Sequence, residues 1–62
     1  MYTKWLEKAT RLGASIFPGT NWTWAENFPT REAAMQFMED EPDMETRGIY
    51  ESSDGTFAVR FR

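Results

Sequence analysis

The stretch TRGIYESSDGTFAVRFR, residues 46–62, decides the fold of this chain. Two β-prone runs, residues 46–52 and 56–61, flank the short polar segment 53–55. A type I turn followed by a left-handed glycine is a common closure for a hairpin with a three-residue loop. The stretch therefore predicts an antiparallel β-hairpin in which Gly55 is the left-handed residue.

The second run of this hairpin alternates between large apolar residues and residues suited to a solvated face. The apolar set is Phe57, Val59 and Phe61, and the other set is Ala58, Arg60 and Arg62. Successive side chains of a strand point to opposite faces of the sheet. One face is therefore predicted to be buried, together with Ile49, and Arg47 and Glu51 share the parity of Ile49.

Residues 3–12 have the spacing of an amphipathic helix, with apolar positions recurring three or four residues apart and Thr3 as a candidate N-cap. Gly13 follows the last apolar position and is predicted to end the helix in the left-handed conformation. The segment is therefore predicted to be the first helix, with its apolar side on the core.

A second helix is predicted over residues 31–41, with Thr30 as its N-cap. Its apolar face is formed by Ala33, Ala34, Phe37 and Met38. Pro42 is expected to stop it, because the residue before a proline avoids helical geometry.

The segment between the two helices predicts either a hairpin or a single strand preceded by a loop. Residues 14–17 are a candidate short strand, 18–21 carry turn chemistry, and 22–27 alternate aromatic with small or polar residues. Trp22 and Trp24 share one face of this strand. The other face is assigned to Thr23, Ala25 and Asn27.

These elements predict an α+β domain covering residues 1–62, in which a small antiparallel sheet of three to four strands has two helices packed on one face. A chain of this length buries only about 60% of its unfolded surface, so a single core is expected. The chain has no Cys and no His, which excludes disulfides and the usual zinc sites. Its three Trp, two Tyr and five Phe residues are expected to supply the apolar packing.

Charge and hydropathy exclude several functions. The formal net charge is −3, the pI is about 4.7 and the seven basic residues are scattered, which argues against direct binding of nucleic acid or anionic lipid. The sequence contains no transmembrane run and no apolar signal segment near its start. A cytoplasmic location is the default expectation.

The residue inventory is unfavourable for catalysis. Serine nucleophiles need a base, and His, the usual one, is missing. Asp40, Asp43 and Glu45 lack the alternate spacing and central glycine of a calcium loop. The sequence therefore predicts a protein that is not an enzyme and has no cofactor, metal site or catalytic residue.

An acidic run is the main concentration of unusual chemistry, since five of the ten carboxylates fall within seven positions. They are Glu39, Asp40, Glu41, Asp43 and Glu45. Such a run is usually a solvated face. Its first three members, however, lie at the predicted C-terminal end of a helix, where carboxylates are unfavourable. The alternative is a partner-binding carboxylate ribbon that imitates a row of phosphates and docks on a basic surface.

Trp22 and Trp24 have two interpretations. Exposed indoles stack on bases or form an interface hot spot, whereas buried indoles belong to the core, and burial of at least one is favoured. Three arginines of the C-terminal hairpin are a candidate basic edge, although solvation of the outer face and pairing with Glu51 is the favoured interpretation. These are Arg47, Arg60 and Arg62.

A tiny, acidic, cysteine-free α/β chain with this carboxylate ribbon resembles the small phage-encoded anti-CRISPR proteins. The resemblance covers size, charge balance and organisation rather than a sequence motif. It implies an inhibitor, a DNA mimic in the cytoplasm of a bacterial host, that occupies the DNA-binding or PAM-reading surface of an RNA-guided effector complex. The five acids would then stand in for DNA phosphates. The alternative is a structural or assembly module that forms a homodimer or an accessory interface through its aromatic residues.

Overall fold

The computed structural model describes residues 3–44 and 47–62, which form two helices and four strands. In chain order these are α1 (Thr3–Arg11), β1 (Ser15–Pro18), β2 (Thr23–Phe28), α2 (Arg31–Met38), β3 (Arg47–Glu51) and β4 (Phe57–Phe61). The strands form one antiparallel sheet in the order β1-β2-β4-β3. The predicted α+β class is confirmed. No helix in the described ranges is long and apolar enough to span a lipid bilayer.

Both helices pack on one face of the sheet, where aromatic rings connect the layers. Phe37 of α2 contacts Phe28 of β2 and Phe61 of β4, with ring centroids 5.4 and 5.6 Å apart. Trp5 of α1 contacts the same Phe61 edge to face, at 5.0 Å. Such pairs are worth about 0.5–1.5 kcal/mol each beyond the area they bury. One aromatic chain therefore joins α1, the two central strands and α2.

The hairpin formed by β3 and β4 has the predicted geometry. Gly55 has φ +88°, the left-handed conformation that favours glycine. The backbone N–H of Ser52 donates to the carbonyl of Thr56 at 2.8 Å. Asp54 accepts from both the backbone N–H and the hydroxyl of Thr56, and these hydrogen bonds hold the pKa of its carboxyl below the usual range. The predicted turn is confirmed, whereas Thr46, the predicted first strand residue, lies outside the described residues.

The first hairpin is also present, but one residue of β2 departs from the predicted alternation of faces. Thr23 and Ala25 share one face, as predicted, and that face is buried against the helices. Asn27 has φ +75°, and the pairing with β4 shifts register between Ala25 and Phe28. This bulge turns the ring of Phe28 inward, where it is completely buried. The prediction that Asn27 shares the face of Thr23 and Ala25 was wrong, because burying a large aromatic ring outweighs the strict alternation of the strand.

The first helix agrees with the prediction within one residue. It already includes Thr3, the candidate N-cap, and it ends at Arg11. Gly13 has φ +85°, and the N–H of Ala14 returns to the carbonyl of Ala9 at 2.8 Å. The left-handed stop predicted at Gly13 is confirmed.

The second helix begins as predicted and ends early. The Thr30 hydroxyl accepts from the N–H of Ala33 at 3.0 Å, which confirms the N-cap. The last helical residue is Met38 and not residue 41, because Glu39 is extended and Asp40 is left-handed at φ +59°. The predicted helix end was therefore wrong by three residues. Pro42 therefore does not end the helix, which stops four residues earlier, at Met38.

Candidate functional site

The acidic residues after α2 differ in their exposure to solvent. Glu41 is only 8% exposed. One carboxylate oxygen accepts from the indole N–H of Trp5 at 3.1 Å and lies 3.2 Å from the Lys4 ammonium, and the other accepts from the Lys8 ammonium at 3.0 Å. All three partners belong to α1. Glu41 therefore ties the first helix to the segment that follows the second.

The ionisation of Glu41 reflects two opposing effects. Burial of the carboxyl disfavours its charged form, but hydrogen bonds from Lys8, Trp5 and Lys4 outweigh that effect and hold its pKa below the usual range. The hydrogen bond to Glu41 in turn raises the pKa of Lys4, with a further contribution from Asp43. Glu41 is thus an internal anion with its countercharges supplied by the same molecule.

The other members of the predicted ribbon have different surroundings. Glu39, Asp40 and Asp43 are exposed, and Asp43 lies 3.5 Å from the Lys4 ammonium. Glu45 lies outside the described residues. The carboxylate row is interrupted at Glu41, which does not face solvent as the ribbon requires. Partner binding by the remaining acids stays a prediction.

A second surface lies on the side of the sheet opposite the helices, and we call it the outer face. Its aromatic and arginine side chains are Phe17, Trp22, Trp24, Tyr50, Arg60 and Arg62. The register places Trp24 directly opposite Arg60 on the two central strands, with Phe17 beyond Trp24 and Gly48 beyond Arg60. This row crosses the middle of the sheet.

The Arg60 guanidinium is surrounded by aromatic rings. It lies 4.3 Å from the ring centroid of Trp22, 5.2 Å from that of Tyr50 and 5.9 Å from that of Trp24. Arg62 lies 5.1 Å from the Trp22 ring. Within residues 3–44 and 47–62, neither arginine forms a salt bridge. The outer face therefore holds two positive charges against aromatic rings, and no carboxylate of the described ranges lies within salt-bridge distance of them.

Two small residues allow the rings to meet. Trp24 and Tyr50 lie on strands separated by β4, yet their centroids are 5.6 Å apart. Ala58 lies opposite Tyr50 on β4, and it is only 4% exposed although it points away from the helices. A Cβ added at Gly48 would lie 3.3 Å from the Tyr50 ring, so the missing side chain gives that ring its space. The small residues at these two positions therefore leave room for the Trp24 and Tyr50 rings to contact each other.

The turn between β1 and β2 supports the outer face at one end. A Cβ added at Gly19 would overlap the backbone carbonyl oxygen of Trp22. The turn can therefore close tightly only with glycine at this position. The closed turn fixes the position of Trp22, and hence the position of the ring on which Arg60 stacks.

The exposure of Trp22 and Trp24 shows whether they belong to the core or to the surface. Trp22 and Trp24 are both half-buried on the outer face, and neither belongs to the core beneath the helices. The preference for burial of at least one indole was wrong, because Phe28, Phe37 and Phe61 already fill the central core positions. The indoles are nevertheless covered in part by arginine.

The three hairpin arginines also divide. Arg60 and Arg62 lie on the outer face, but Arg47 donates through Nη1 to the carbonyls of Met38 and Glu41, at 3.1 and 3.3 Å. A common basic edge is therefore not formed.

Sequence reasoning missed Tyr50 and Phe17 as members of the outer face, where they are 43% and 49% exposed. The alternation that puts Arg60 outward also puts Tyr50 outward once the hairpin register is known. Pairing of the first hairpin does the same for Phe17.

No group of three or more Asp or Glu side chains is arranged to hold a metal ion within the described parts of the chain. Comparisons with known protein families, with curated proteins and with solved structures find no match to this chain.

Proposed function

We propose that this chain is a non-enzymatic binding module whose outer face holds a protein partner. The observation that carries the proposal is Arg60, a guanidinium with three aromatic rings within 6 Å and no salt bridge in the described part of the chain. Trp, Tyr and Arg are the residue types most enriched in interface hot spots. All three types meet at the middle of this surface.

The chemistry of the surface indicates what the partner presents. A guanidinium stacked on a ring keeps the N–H groups at its edge available, and these match a carboxylate bidentately. The surrounding rings exclude water, which strengthens such a contact. The partner is therefore a protein surface with a carboxylate set among apolar groups. The carboxylate would contact Arg60, and the apolar groups around it would cover Trp24 and Tyr50.

The test is affinity capture from a bacterial lysate with the immobilised chain, followed by titration of the captured protein. We expect Arg60→Ala to weaken binding by at least about tenfold, in line with a hot-spot arginine. Arg31→Ala is the matched control, because Arg31 also stacks on a ring, that of Phe57 at 5.3 Å, but lies off the outer face. Equal binding by the two variants would contradict the proposal.

A second candidate function follows from the resemblance to anti-CRISPR proteins: an inhibitor that docks its acids on the basic DNA-binding groove of a CRISPR effector. It is supported by the exposure of Glu39 and Asp40, neither of which forms a salt bridge in the described parts of the chain. The contact would rest on Glu39, Asp40 and Asp43, with Glu41 kept as an internal anchor.

The two candidates respond differently to the same pair of variants. The combined change Glu39→Gln, Asp40→Asn and Asp43→Asn removes the exposed acids and leaves Glu41 intact. For the inhibitor, this variant loses binding, Arg60→Ala keeps it, and the affinity falls steeply with salt. For the outer-face module, the pattern of the variants is reversed. Retained inhibition by the triple variant would exclude the acidic mimic.

A further inference from the structure

The edge strand β3 differs from the opposite edge of the sheet. β1 has four residues and ends in Pro18, which lacks a backbone donor. β3 has five residues, contains no proline and pairs only with β4 among the described strands. An edge strand of this kind presents backbone N–H and C=O groups to any strand that approaches it.

The charges of β3 are arranged so that the strand can pair with an antiparallel copy of itself. The strand is Arg47-Gly48-Ile49-Tyr50-Glu51. In an antiparallel pair centred on Ile49, Arg47 of one copy faces Glu51 of the other, and the same pair recurs at the opposite end. Opposite charges directly across two strands are stabilising. We infer that β3 pairs with β3 of a second copy of this chain, about a two-fold axis through Ile49.

The surroundings of these residues fit that register. Glu51 is exposed and forms no salt bridge in the described ranges. Arg47 uses only Nη1 for the carbonyls of Met38 and Glu41, so its other N–H groups remain for a carboxylate. Ile49 is half-buried, and its remaining exposed surface meets its own copy at the axis.

The outer face is compatible with the same pairing. Tyr50 of one strand lies opposite Gly48 of the other, so a large residue meets a small one twice. Residues that face each other in an antiparallel pair point to the same side of the sheet. The dimer therefore has one continuous eight-stranded sheet with both outer faces on one side. Two copies of the Arg60 cluster then become available to a single partner.

The interface is small, so the association is weak and depends on concentration. A single pair of five-residue strands falls below the ~1,000 Å² of a stable interface. The test is sedimentation equilibrium of the full chain from about 10 μM to about 1 mM, a range chosen for such weak association. We expect the mass to rise from 7.3 kDa towards twice that value. A mass that stays at 7.3 kDa at the highest concentration would overturn the inference.

A charge variant tests the register. Glu51→Arg places two arginines opposite each other at both ends and should lower the association constant about tenfold. Glu32→Arg makes the same charge change on the exposed surface of α2 and should leave it unchanged. Equal effects of the two variants, or no effect of Glu51→Arg, would contradict the proposed pairing.

Hydrogen exchange of the unmodified chain provides a measurement that needs no substitution. Amides of β3 should exchange more slowly at 1 mM than at 10 μM, while those of β1 keep their rates; these concentrations are about the two ends of the sedimentation series. Association without added protection in β3 would assign the interface elsewhere and refute the edge pairing. Because the measurement follows backbone amides of the chain alone, its outcome does not depend on partner binding at Arg60.

Discussion

Glu41 and Arg60 are two charged side chains that each contact a tryptophan, yet their surroundings are opposite. Glu41 accepts from the indole N–H of Trp5, has two lysines beside it and is almost inaccessible. Arg60 lies over the face of Trp22, remains half-exposed and has no carboxylate partner in the described part of the chain. One charge is neutralised inside the molecule, and the other is not.

The pairing of a charge inside the molecule decides whether it is available for recognition. A carboxylate whose lone pairs are taken by internal donors stabilises the fold and offers little to a partner. A guanidinium held by rings alone keeps its directional donors. Charge density along the sequence emphasises the acidic run, whereas pairing in the structure emphasises Arg60.

The largest expected effect is on the stability of Glu41→Ala. The substitution removes the carboxylate that accepts from the Trp5 indole N–H and from the Lys8 ammonium, and we expect it to lower the free energy of unfolding by about 2–4 kcal/mol. Urea denaturation followed by tryptophan fluorescence measures it. Glu39→Ala is the control, because the Glu39 side chain is exposed, and its effect should stay within about 0.5 kcal/mol. A similar loss in both variants would erase the contrast between the two acids.

Acid should weaken the same contact. Because the pKa of Glu41 is lower in the folded than in the unfolded chain, its contribution is fully present above the unfolded pKa. It is lost as the pH falls through the folded value. Urea denaturation between neutral and acidic pH should show a shallower decline for Glu41→Gln than for the unmodified chain. Parallel curves would mean that the charge of Glu41 does not stabilise the fold.

Gly19→Ala tests the support of the outer face. The added methyl overlaps the Trp22 carbonyl oxygen, so the turn must open, and we expect a loss of about 1–3 kcal/mol. The emission of the tryptophans should also change as Trp22 moves. Thr20→Ala alters an exposed neighbour in the same turn and should change neither property. An unchanged emission spectrum in Gly19→Ala would separate the turn from the outer face.

The smallest expected effect on stability is that of Arg60→Ala. Exposed cation–π contacts contribute about 0.5–1 kcal/mol, so the fold should lose no more than that. Arg31→Ala should cost about the same, since it loses a similar contact with Phe57. Only Arg60→Ala should alter tryptophan emission, because Arg60 lies over Trp22. A cost for Arg60→Ala as large as that of Glu41→Ala would show that Arg60 stabilises the fold as much as Glu41 does.

The fold was largely predictable because its strongest signals are local. The alternation of Phe57, Val59 and Phe61 and the turn ending at Gly55 specify β4 and its hairpin without reference to distant residues. Thr30 and Gly13 likewise mark helix ends by side-chain and backbone preferences that act within a few residues. Where local chemistry decides the geometry, the sequence was sufficient.

The candidate site was less predictable because its contacts join distant parts of the chain. Glu41 and Lys8 are separated by 33 positions, so the acidic run gave no sign that one member faces inward. The meeting of Trp24 with Tyr50 depends on β4 lying between their strands, an order that alternation along one strand does not specify. Pairing and strand order had to be known before the outer face was visible.

The C-terminal end of α2 has a consequence for how this chain folds. The last turn of α2 contains no basic residue, yet the Met38 carbonyl accepts from Arg47 of β3 and the Glu39 carbonyl accepts from Lys8 of α1. An isolated helix of eight residues is too short to persist in water. Two carbonyls at its end find their partners only in the assembled fold, so the stability of α2 depends on its packing against α1 and β3.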